Sequence, residues 1–320
     1  MVGIFAVLLL IALILTIHDK KGLTNRNRSF KEKLTDFDST QVTSLIIYPK
    51  SKKDPIVLSK EDKTWTVSSA GKKFSADESG VKNMIGSLFS LNPMRIAAKD
   101  KSSWNEYEVS DSNSSRVQVF VGKNVAADIY IGKFTYQQPK NANPYTRQQG
   151  TLTSYVRVDG DNSVYALDGL LSLSFNRQAS DFRNHVLIYS DCKKWNKLSF
   201  SRPEGSYNLL KQNNKWMVDE ILADSALVEK YLTSIEYLYN ANYVDQPILE
   251  NTTPDYTLNI EGINIPDPIK IKAFKSDTTN LYVLSSSLNK GTYFSGKQSG
   301  LFNKVFVDKN SLLIQSAAGK

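Results

Sequence analysis

The stretch Ile56–Val67, IVLSKEDKTWTV, decides the fold because its pattern returns at Tyr207–Val218, YNLLKQNNKWMV. In both stretches a leucine precedes a tryptophan by seven positions, and the two tryptophans are Trp65 and Trp216. Internal similarity at matched spacing is typical of a structural unit that occurs more than once in a chain. The sequence therefore predicts that one module is used twice.

The repeat continues from each tryptophan into an Ala-Asp pair. Asp77 precedes Val81 by four residues, and Asp224 precedes Val228 by the same distance. After each aspartate, apolar residues recur at intervals of three and four, which predicts an amphipathic helix. An aspartate just before a helix can accept a hydrogen bond from a first-turn amide, worth ~1 kcal/mol. We predict that Asp77 and Asp224 cap helices in separate copies, rather than acting as a paired general acid and base.

A second set of matches keeps the same order at a shift of 127 residues. The matched pairs are Tyr155-Val156 with Tyr282-Val283, Phe175-Asn176 with Phe302-Asn303, and Asp181 with Asp308. Because the matches are spread over several elements in one order, a tandem duplication explains them better than chance. Residues 41–190 are predicted to form the first copy and residues 191–320 the second.

Short runs of β-branched and aromatic residues, separated by polar turns, surround each predicted helix. Runs of this kind favour antiparallel strands. Trp65 and Trp216 lie in such runs just before the helix, so we predict core anchors rather than ligand-stacking platforms. The predicted fold class is α+β. It consists of an N-terminal transmembrane helix and two tandem copies of a module that combines an antiparallel sheet with a helix.

The transmembrane part of that prediction rests on residues 1–17, MVGIFAVLLLIALILTI, which carry no charged side chain. A helix of that length spans about 25 Å, slightly short of a hydrocarbon core of ~30 Å. No small-residue cleavage site follows it, so an uncleaved single-pass anchor is predicted. Residues 18–40 are predicted to form a basic stalk, whose Lys20–Lys33 cluster would contact anionic lipid headgroups.

The composition excludes several classes of function. The formal net charge is +8, yet basic residues cluster only between Lys20 and Lys33 and no nucleic-acid recognition motif occurs, so nucleic acid is not a predicted partner. The single cysteine, Cys192, excludes an intramolecular disulfide. The two histidines do not stand at metal-ligand spacing, and the sequence has neither a Gly-x-Ser-x-Gly motif nor a phosphate-binding glycine loop. We predict no catalytic, metal-ligating or cofactor-binding residue, and we predict that the chain is not an enzyme.

The order of these elements resembles the bacterial family DUF4340, a domain of unknown function. The resemblance is carried by the N-terminal apolar segment, Phe37-Asp38, the Leu-x-Lys…Trp-x-Val and Ala-Asp elements of both copies, Trp104-x-x-Tyr107, and Asp181-Phe182-Arg183. It covers nearly the whole chain, and it makes Asp181 and Arg183 structural anchors of the repeat. It implies a membrane-tethered protein with its domain outside the cytoplasm, often encoded beside ABC transporters of the gliding-motility type.

The charge pattern and the resemblance disagree about topology. Lys and Arg follow the apolar segment and none precedes it, which by the positive-inside rule places the large domain in the cytoplasm. The resemblance instead implies an envelope protein in the inner membrane, with its domain on the periplasmic side. We take the second placement as the expectation.

The expected function is that of a non-enzymatic, membrane-tethered accessory or scaffold subunit of an ABC-type transport system. Its expected partners are membrane lipid and transporter subunits. The alternative is an extracytoplasmic module that binds glycan or cell-wall material, with Trp104 and Tyr107 as surface contacts. A third alternative is a hydrolase with an unrecognised site.

Overall fold

The computed structural model describes residues 31–50, 54–138, 150–245, 252–276, 282–297 and 300–314. These residues form two compact units. Unit 1 lies within residues 1–55 and 83–177, and unit 2 lies within residues 56–82 and 178–320. Residues 56–82 lie in the first sequence copy, but they form part of the compact unit 2. The division into units therefore differs from the predicted boundary at residue 190.

Strands make up most of the regular structure of the described residues. Those before residue 170 are β1 (Ser44–Tyr48), β2 (Ile56–Glu61), β3 (Thr64–Ser69), β4 (Lys72–Ser75), β5 (Arg95–Ala98), β6 (Ser115–Val121), β7 (Asn124–Gln137), β8 (Thr151–Val158) and β9 (Val164–Asp168). Those after it are β10 (Val186–Tyr189), β11 (Trp195–Ser201), β12 (Tyr207–Gln212), β13 (Lys215–Val218), β14 (Ile221–Leu222), β15 (Tyr237–Tyr239), β16 (Tyr256–Gly262), β17 (Ile269–Lys275), β18 (Tyr282–Ser286) and β19 (Asn289–Ser295). The α-helices are α1 (Glu78–Phe89), α2 (Leu171–Phe175), α3 (Ser225–Ile235) and α4 (Leu301–Val305).

Unit 1 contains an antiparallel run of strands in the order β1-β6-β7-β8-β9-β5. Burial alternates along β6, where Val117 and Val119 are fully buried between less buried neighbours. This alternation is what a sheet with one face on the core requires, since successive side chains point to opposite faces.

Unit 2 contains the run β4-β3-β2 and a longer antiparallel sheet in the order β14-β13-β12-β11-β16-β17-β18-β19. A separate two-stranded ribbon pairs β10 with β15. Beyond β19, an isolated bridge pairs Tyr243 with Phe294, so the chain around Tyr243 lies along the edge of the long sheet.

The two sequence copies share one strand order. The run β4-β3-β2 corresponds to β14-β13-β12, and β1-β6-β7-β8-β9 corresponds to β11-β16-β17-β18-β19. Helix α1 follows β4 along the chain just as α3 follows β14. The repeated sequence pattern therefore has a repeated strand order as its counterpart.

The predicted α+β fold class is wrong, because the protein is mostly antiparallel sheet. The longer helices, α1 and α3, have 12 and 11 residues, and α2 and α4 have 5 each. Several strands come from segments with weak local β signals, such as β19, NKGTYFS, which pairs with β18 over most of its length. Such strands are stabilised by pairing with strands that are distant in sequence. A prediction from local β propensity therefore underestimates how much of the chain is sheet.

The predicted transmembrane helix and single-pass inner-membrane location are also corrected. Among the helices of the described residues, none is both long enough and apolar enough to cross a membrane. The predicted anchor, residues 1–17, lies outside the described residues.

The described end of the predicted stalk packs against protein. Leu34 and Phe37 are buried, and the Thr35 hydroxyl donates a 2.7 Å hydrogen bond to the carbonyl of Leu88. Lys33, from the basic cluster, places its Nζ 3.6 Å from the centroid of the Phe89 ring. The apolar residues within this polar segment therefore belong to the core of unit 1 rather than to a solvated stalk.

Candidate functional site

The two repeat tryptophans lie in the core. Trp65 is 4% exposed and Trp216 is 9% exposed. They occupy matching ladder positions, since Trp65 pairs with Lys60 across β2 and β3, and Trp216 pairs with Lys211 across β12 and β13. Burial to this extent leaves neither ring available as a stacking platform.

The two repeat aspartates both bond to the start of a helix. Asp77 Oδ1 accepts hydrogen bonds from the amide and the hydroxyl of Ser79, at 3.2 and 2.8 Å. Asp224 Oδ1 accepts from the amides of Ala226 and Leu227, at 2.9 and 3.1 Å. These carboxylates satisfy first-turn donors that a helix cannot satisfy internally.

The third matched aspartate also has a local structural role. Asp181 Oδ2 accepts a 2.9 Å hydrogen bond from the amide of Gln178, and its counterpart Asp308 accepts one from the amide of Asn310 at 2.8 Å. Two residues farther on, the copies differ, because Arg183 corresponds to Asn310 at the shift of 127. Arg183 is therefore a feature of one copy only.

Arg183 is a buried cation held between two aromatic rings. Its guanidinium carbon lies 3.5 Å from the centroid of Phe74 and 3.8 Å from that of Tyr243. Its Nη1 donates a 2.7 Å hydrogen bond to Asp245 Oδ1, and Lys72 Nζ lies 3.9 Å from the other oxygen of that carboxylate. Asp245 thus faces two cations, with a polar cavity beside Arg183.

The predicted contact residue Trp104 is half-buried and packed. Its indole Nε1 donates a 2.9 Å hydrogen bond to the carbonyl of Asn162, and its ring lies 3.8 Å from the guanidinium of Arg157. The second predicted contact, Tyr107, is also half-buried and lies 4.6 Å from the ring of Tyr155. Both rings are therefore packed against protein on at least one side.

Arg157 belongs to a ladder of alternating arginine and aromatic side chains across four strands. In the β-ladder, Tyr48 pairs with Arg116, Arg116 with Tyr130, and Tyr130 with Arg157. Arg116 binds both oxygens of Asp128, which holds the pKa of that arginine above its ordinary value. Cation–π contacts between neighbouring strands of this kind stabilise a sheet. The ladder depends on strand register, and no short motif in the sequence indicates it.

The ribbon of β10 and β15 carries exposed aromatic side chains. Tyr189, Tyr237 and Tyr239 are 61%, 49% and 44% exposed, and we call these three residues the tyrosine ribbon. The ring of Tyr189 lies 5.3 Å from that of Tyr237 and 6.4 Å from that of Tyr239. Just before β10, the ring of His185 lies 5.2 Å from that of Tyr239.

The opposite side of the ribbon is fixed to the sheet of unit 2. Leu187 and Leu238 are buried in the core of that unit. The Ser286 hydroxyl donates a 2.6 Å hydrogen bond to the carbonyl of Leu187, and the Asn289 carboxamide donates one of 2.7 Å to the carbonyl of Asn184. The tyrosines are therefore presented by a rigid element, and the alternation of tyrosine and leucine in β15 follows the strand period of two.

A small cluster at the end of the ribbon contains the cysteine. Ligand-type atoms of Asp191, Cys192 and Glu236 all lie within 4.8 Å of one another. The Cys192 amide donates a 3.2 Å hydrogen bond to Glu236 Oε2. Burial, and then the neighbouring Glu236 carboxylate, raise the pKa of the Cys192 thiol to about 11. The thiolate is the reactive form, so this cysteine is a weak nucleophile at neutral pH.

Comparison with protein-family models identifies the family of the chain. The family model described as "Domain of unknown function (DUF4340)" matches residues 65–259, which is more than half of the chain. The chain belongs to this family. The matched span runs from Trp65 in β3 to Asn259 in β16 and includes Arg183 and the tyrosine ribbon. The DUF4340 resemblance inferred from the sequence is thereby confirmed.

The other two comparisons gave nothing further. No curated protein and no solved structure matched the chain. Membership of DUF4340 therefore brings no residue role or activity with it.

Proposed function

We propose that the chain is a non-enzymatic accessory protein that binds another protein through the tyrosine ribbon. The supporting observation is the exposure of Tyr189, Tyr237 and Tyr239 on a short ribbon fixed to the core. Tyrosine is enriched in protein interfaces because it offers a large apolar ring, a hydroxyl and few rotatable bonds. Three such rings on one rigid element form a suitable interface core.

A protein partner suits the ribbon better than a glycan does. A sugar ring stacks on a flat aromatic surface, but the plane of Tyr189 is tilted by 58° from that of Tyr237 and by 49° from that of Tyr239. Tilted rings instead form a corrugated surface into which the side chains of a partner can pack. Lys193 and Lys194, exposed just beyond β10, favour a partner with carboxylates at the rim of the contact.

The non-enzymatic part of the proposal is supported by how the candidate nucleophiles are engaged. The Ser79 hydroxyl donates to the capping carboxylate of Asp77, and the Ser190 hydroxyl accepts from the indole of Trp195. The Cys192 thiol is held protonated at neutral pH by the raised pKa described above. The bases adjacent to Ser79 and Cys192 are the carboxylates of Asp77 and Glu236, whereas an activated serine or cysteine is usually paired with a histidine or an amine.

We propose a subunit of an ABC-type transport system as the protein partner. This choice rests on the genomic setting that the family resemblance implies. The ribbon supplies a contact surface for such a subunit.

The proposal is tested with purified full-length protein and each transporter subunit encoded near its gene. Replacing Tyr189 and Tyr237 together by Ser removes two rings at the centre of the ribbon. Replacing Tyr136, which is 56% exposed on β7, is the matched control. We expect one subunit to bind the wild type and the Tyr136→Ser variant equally, and the double variant at least about tenfold more weakly, since interface tyrosines often contribute ~1–2 kcal/mol each. Equal binding by all three proteins, or no subunit bound by the wild type, contradicts the proposal.

A further inference from the structure

Beside Arg183 in unit 2 lies an open cavity of about 540 Å³. Its polar wall includes Ser180, Arg183, Asn242, Asp245 and Ser295. Cavities of about 300–1,000 Å³ with a few convergent polar groups are the usual size and character of small-molecule sites. This cavity is distinct from the tyrosine ribbon, so the inference drawn from it does not depend on the proposed protein partner.

Arg157 supplies an internal comparison for Arg183. Arg157 is 3% exposed and Arg183 is 4% exposed, and each is held between two aromatic rings. Each also donates a 2.7 Å hydrogen bond from one terminal nitrogen to an aspartate, Asp111 for Arg157 and Asp245 for Arg183. The two arginines therefore share burial, stacking and ion pairing.

The two guanidinium groups differ at Nε. Arg157 Nε donates a 3.1 Å hydrogen bond to the carbonyl of Val109. Arg183 Nε is buried and has no hydrogen-bond partner within the described residues. A buried donor without an acceptor is costly, and a charged one more so, so a ligand group or an ordered water that accepts from it stabilises the site. Arg183, whose Nε donor is unsatisfied, borders the cavity.

Further hydrogen-bonding groups of the cavity wall are also available. Within the described part of the chain, the hydroxyls of Ser180 and Ser295 and the carboxamide of Asn242 make no hydrogen bond to protein. The backbone around Asn242 is nevertheless fixed, because its carbonyl accepts a 2.9 Å hydrogen bond from the amide of Ser295. The wall is thus preorganised while its side chains are free to bind a ligand.

The unsatisfied Nε–H of the charged Arg183 guanidinium favours an anionic acceptor. Two cations, Arg183 and Lys72, face the single carboxylate of Asp245. Burial is the main cause that raises the pKa of the Tyr243 hydroxyl to about 12, and the nearby carboxylates of Asp77 and Asp181 also raise it. Each of these two carboxylates accepts a hydrogen bond from a local backbone amide. The guanidinium fork matches the geometry of a carboxylate, which can accept from Nε and a terminal nitrogen together.

We propose that this cavity binds the carboxylate of a small organic acid or of a peptide C-terminus. Arg183 holds the carboxylate through its unsatisfied Nε–H, and Asn242 and the two serines bind the polar groups next to it. Both sources of the carboxylate share this chemistry, so the test includes one probe for each.

The test follows the Nε–Hε resonances of the arginines in nitrogen-15 spectra of the full chain. Succinate and the tripeptide Ala-Ala-Ala are titrated separately, and the C-terminal amide of the same tripeptide is the uncharged control. The variants Arg183→Lys and Arg157→Lys assign the two resonances, and Arg157→Lys is also the matched control for loss of a buried arginine. We expect at least one of the two acids to shift the Arg183 resonance while the Arg157 resonance and the amide titration stay unchanged.

Two milder variants keep the test independent of whether Arg183→Lys folds. Asn242→Ala removes one neutral hydrogen bond and should weaken binding about two- to tenfold. Asp245→Asn removes the competing carboxylate, so it should strengthen binding, an effect that a purely structural salt bridge does not produce. A shift with succinate alone identifies a free acid as the ligand, and a shift with the tripeptide alone identifies a peptide terminus. An Arg183 resonance unmoved by either acid, or moved equally by the amide, overturns the proposal.

Discussion

Replacing Trp65 or Trp216 by Ala tests whether the repeat tryptophans are core anchors. A buried tryptophan removes about 150–250 Å² from water, which at about 25 cal/mol per Å² corresponds to about 4–6 kcal/mol. Alanine retains part of that area, so we expect each variant to lower the free energy of unfolding by ~3–5 kcal/mol. Trp216, which is the more exposed of the two, should lie toward the lower end of that range.

Urea unfolding of the full chain, followed by far-ultraviolet circular dichroism, measures both variants. The exposed Tyr136 replaced by Ala is the control, with an expected change within about 0.5 kcal/mol. Because residues 56–82 group with residues 178–320, Trp65→Ala should lower the same unfolding step as Trp216→Ala. Near-neutral stability of either tryptophan variant would refute the core assignment. Effects on two different steps would refute the grouping of residues 56–82 with unit 2.

Three further changes test individual contacts by simple measurements. Asp224→Ala removes two hydrogen bonds at the start of α3 and should cost ~1 kcal/mol in urea unfolding, whereas an unchanged midpoint would contradict its capping role. Tyr231→Phe leaves the carbonyl of Val305 without its 2.8 Å partner and should cost ~1–3 kcal/mol in the same assay; a stabilised variant would show that this bond contributes nothing. The rate of Cys192 alkylation should still rise about tenfold per pH unit at pH 9 and level off only near the thiol pKa of about 11, and Glu236→Gln should lower that pKa and speed alkylation at pH 9. A pH profile centred near 8.5, or one unchanged in Glu236→Gln, would contradict the described environment of Cys192.

The features that the sequence predicts are those that depend on the spacing of residues close together in the chain. The seven-residue interval from Leu58 to Trp65 corresponds to a strand pair, because Leu58 and Trp65 lie on the two hairpin-connected strands β2 and β3. The Asp-x-x-x-Val interval likewise marks a helix start at Asp224, where both the cap and the buried Val228 lie within one turn. Such signals involve neighbours in the chain, so they are readable without knowledge of the tertiary structure.

The features that the sequence does not predict depend on pairing between distant residues. Arg116, Tyr130 and Arg157 become neighbours only once β6, β7 and β8 have paired in one register. The tyrosine ribbon similarly joins residues 189 and 237, which are 48 positions apart. Alternation along the three residues of β15 is too short to indicate a strand on its own, so the main candidate surface was not predicted.

The wrong expectations have the same physical origin. The predicted basic stalk, residues 18–40, includes Leu34 and Phe37, whose side chains are buried and fix the end of that segment against the protein. The prediction of an α+β fold gave too much weight to the apolar stripes of α1 and α3, which are the clearest periodic signals in the sequence. Weakly patterned strands such as β19 contribute more to the fold than their local composition suggests.

The most direct test of the central claim, that the tyrosine ribbon binds a protein partner, is site-specific photo-crosslinking in living cells. The photo-crosslinker p-benzoylphenylalanine replaces Tyr237, which is 49% exposed, in one strain and Tyr136, which is 56% exposed, in another. We predict a discrete crosslinked species from position 237 that contains a subunit of an ABC-type transporter, and no such species from position 136. Absence of a crosslink at position 237, or the same species from both positions, would contradict the proposed role of the ribbon.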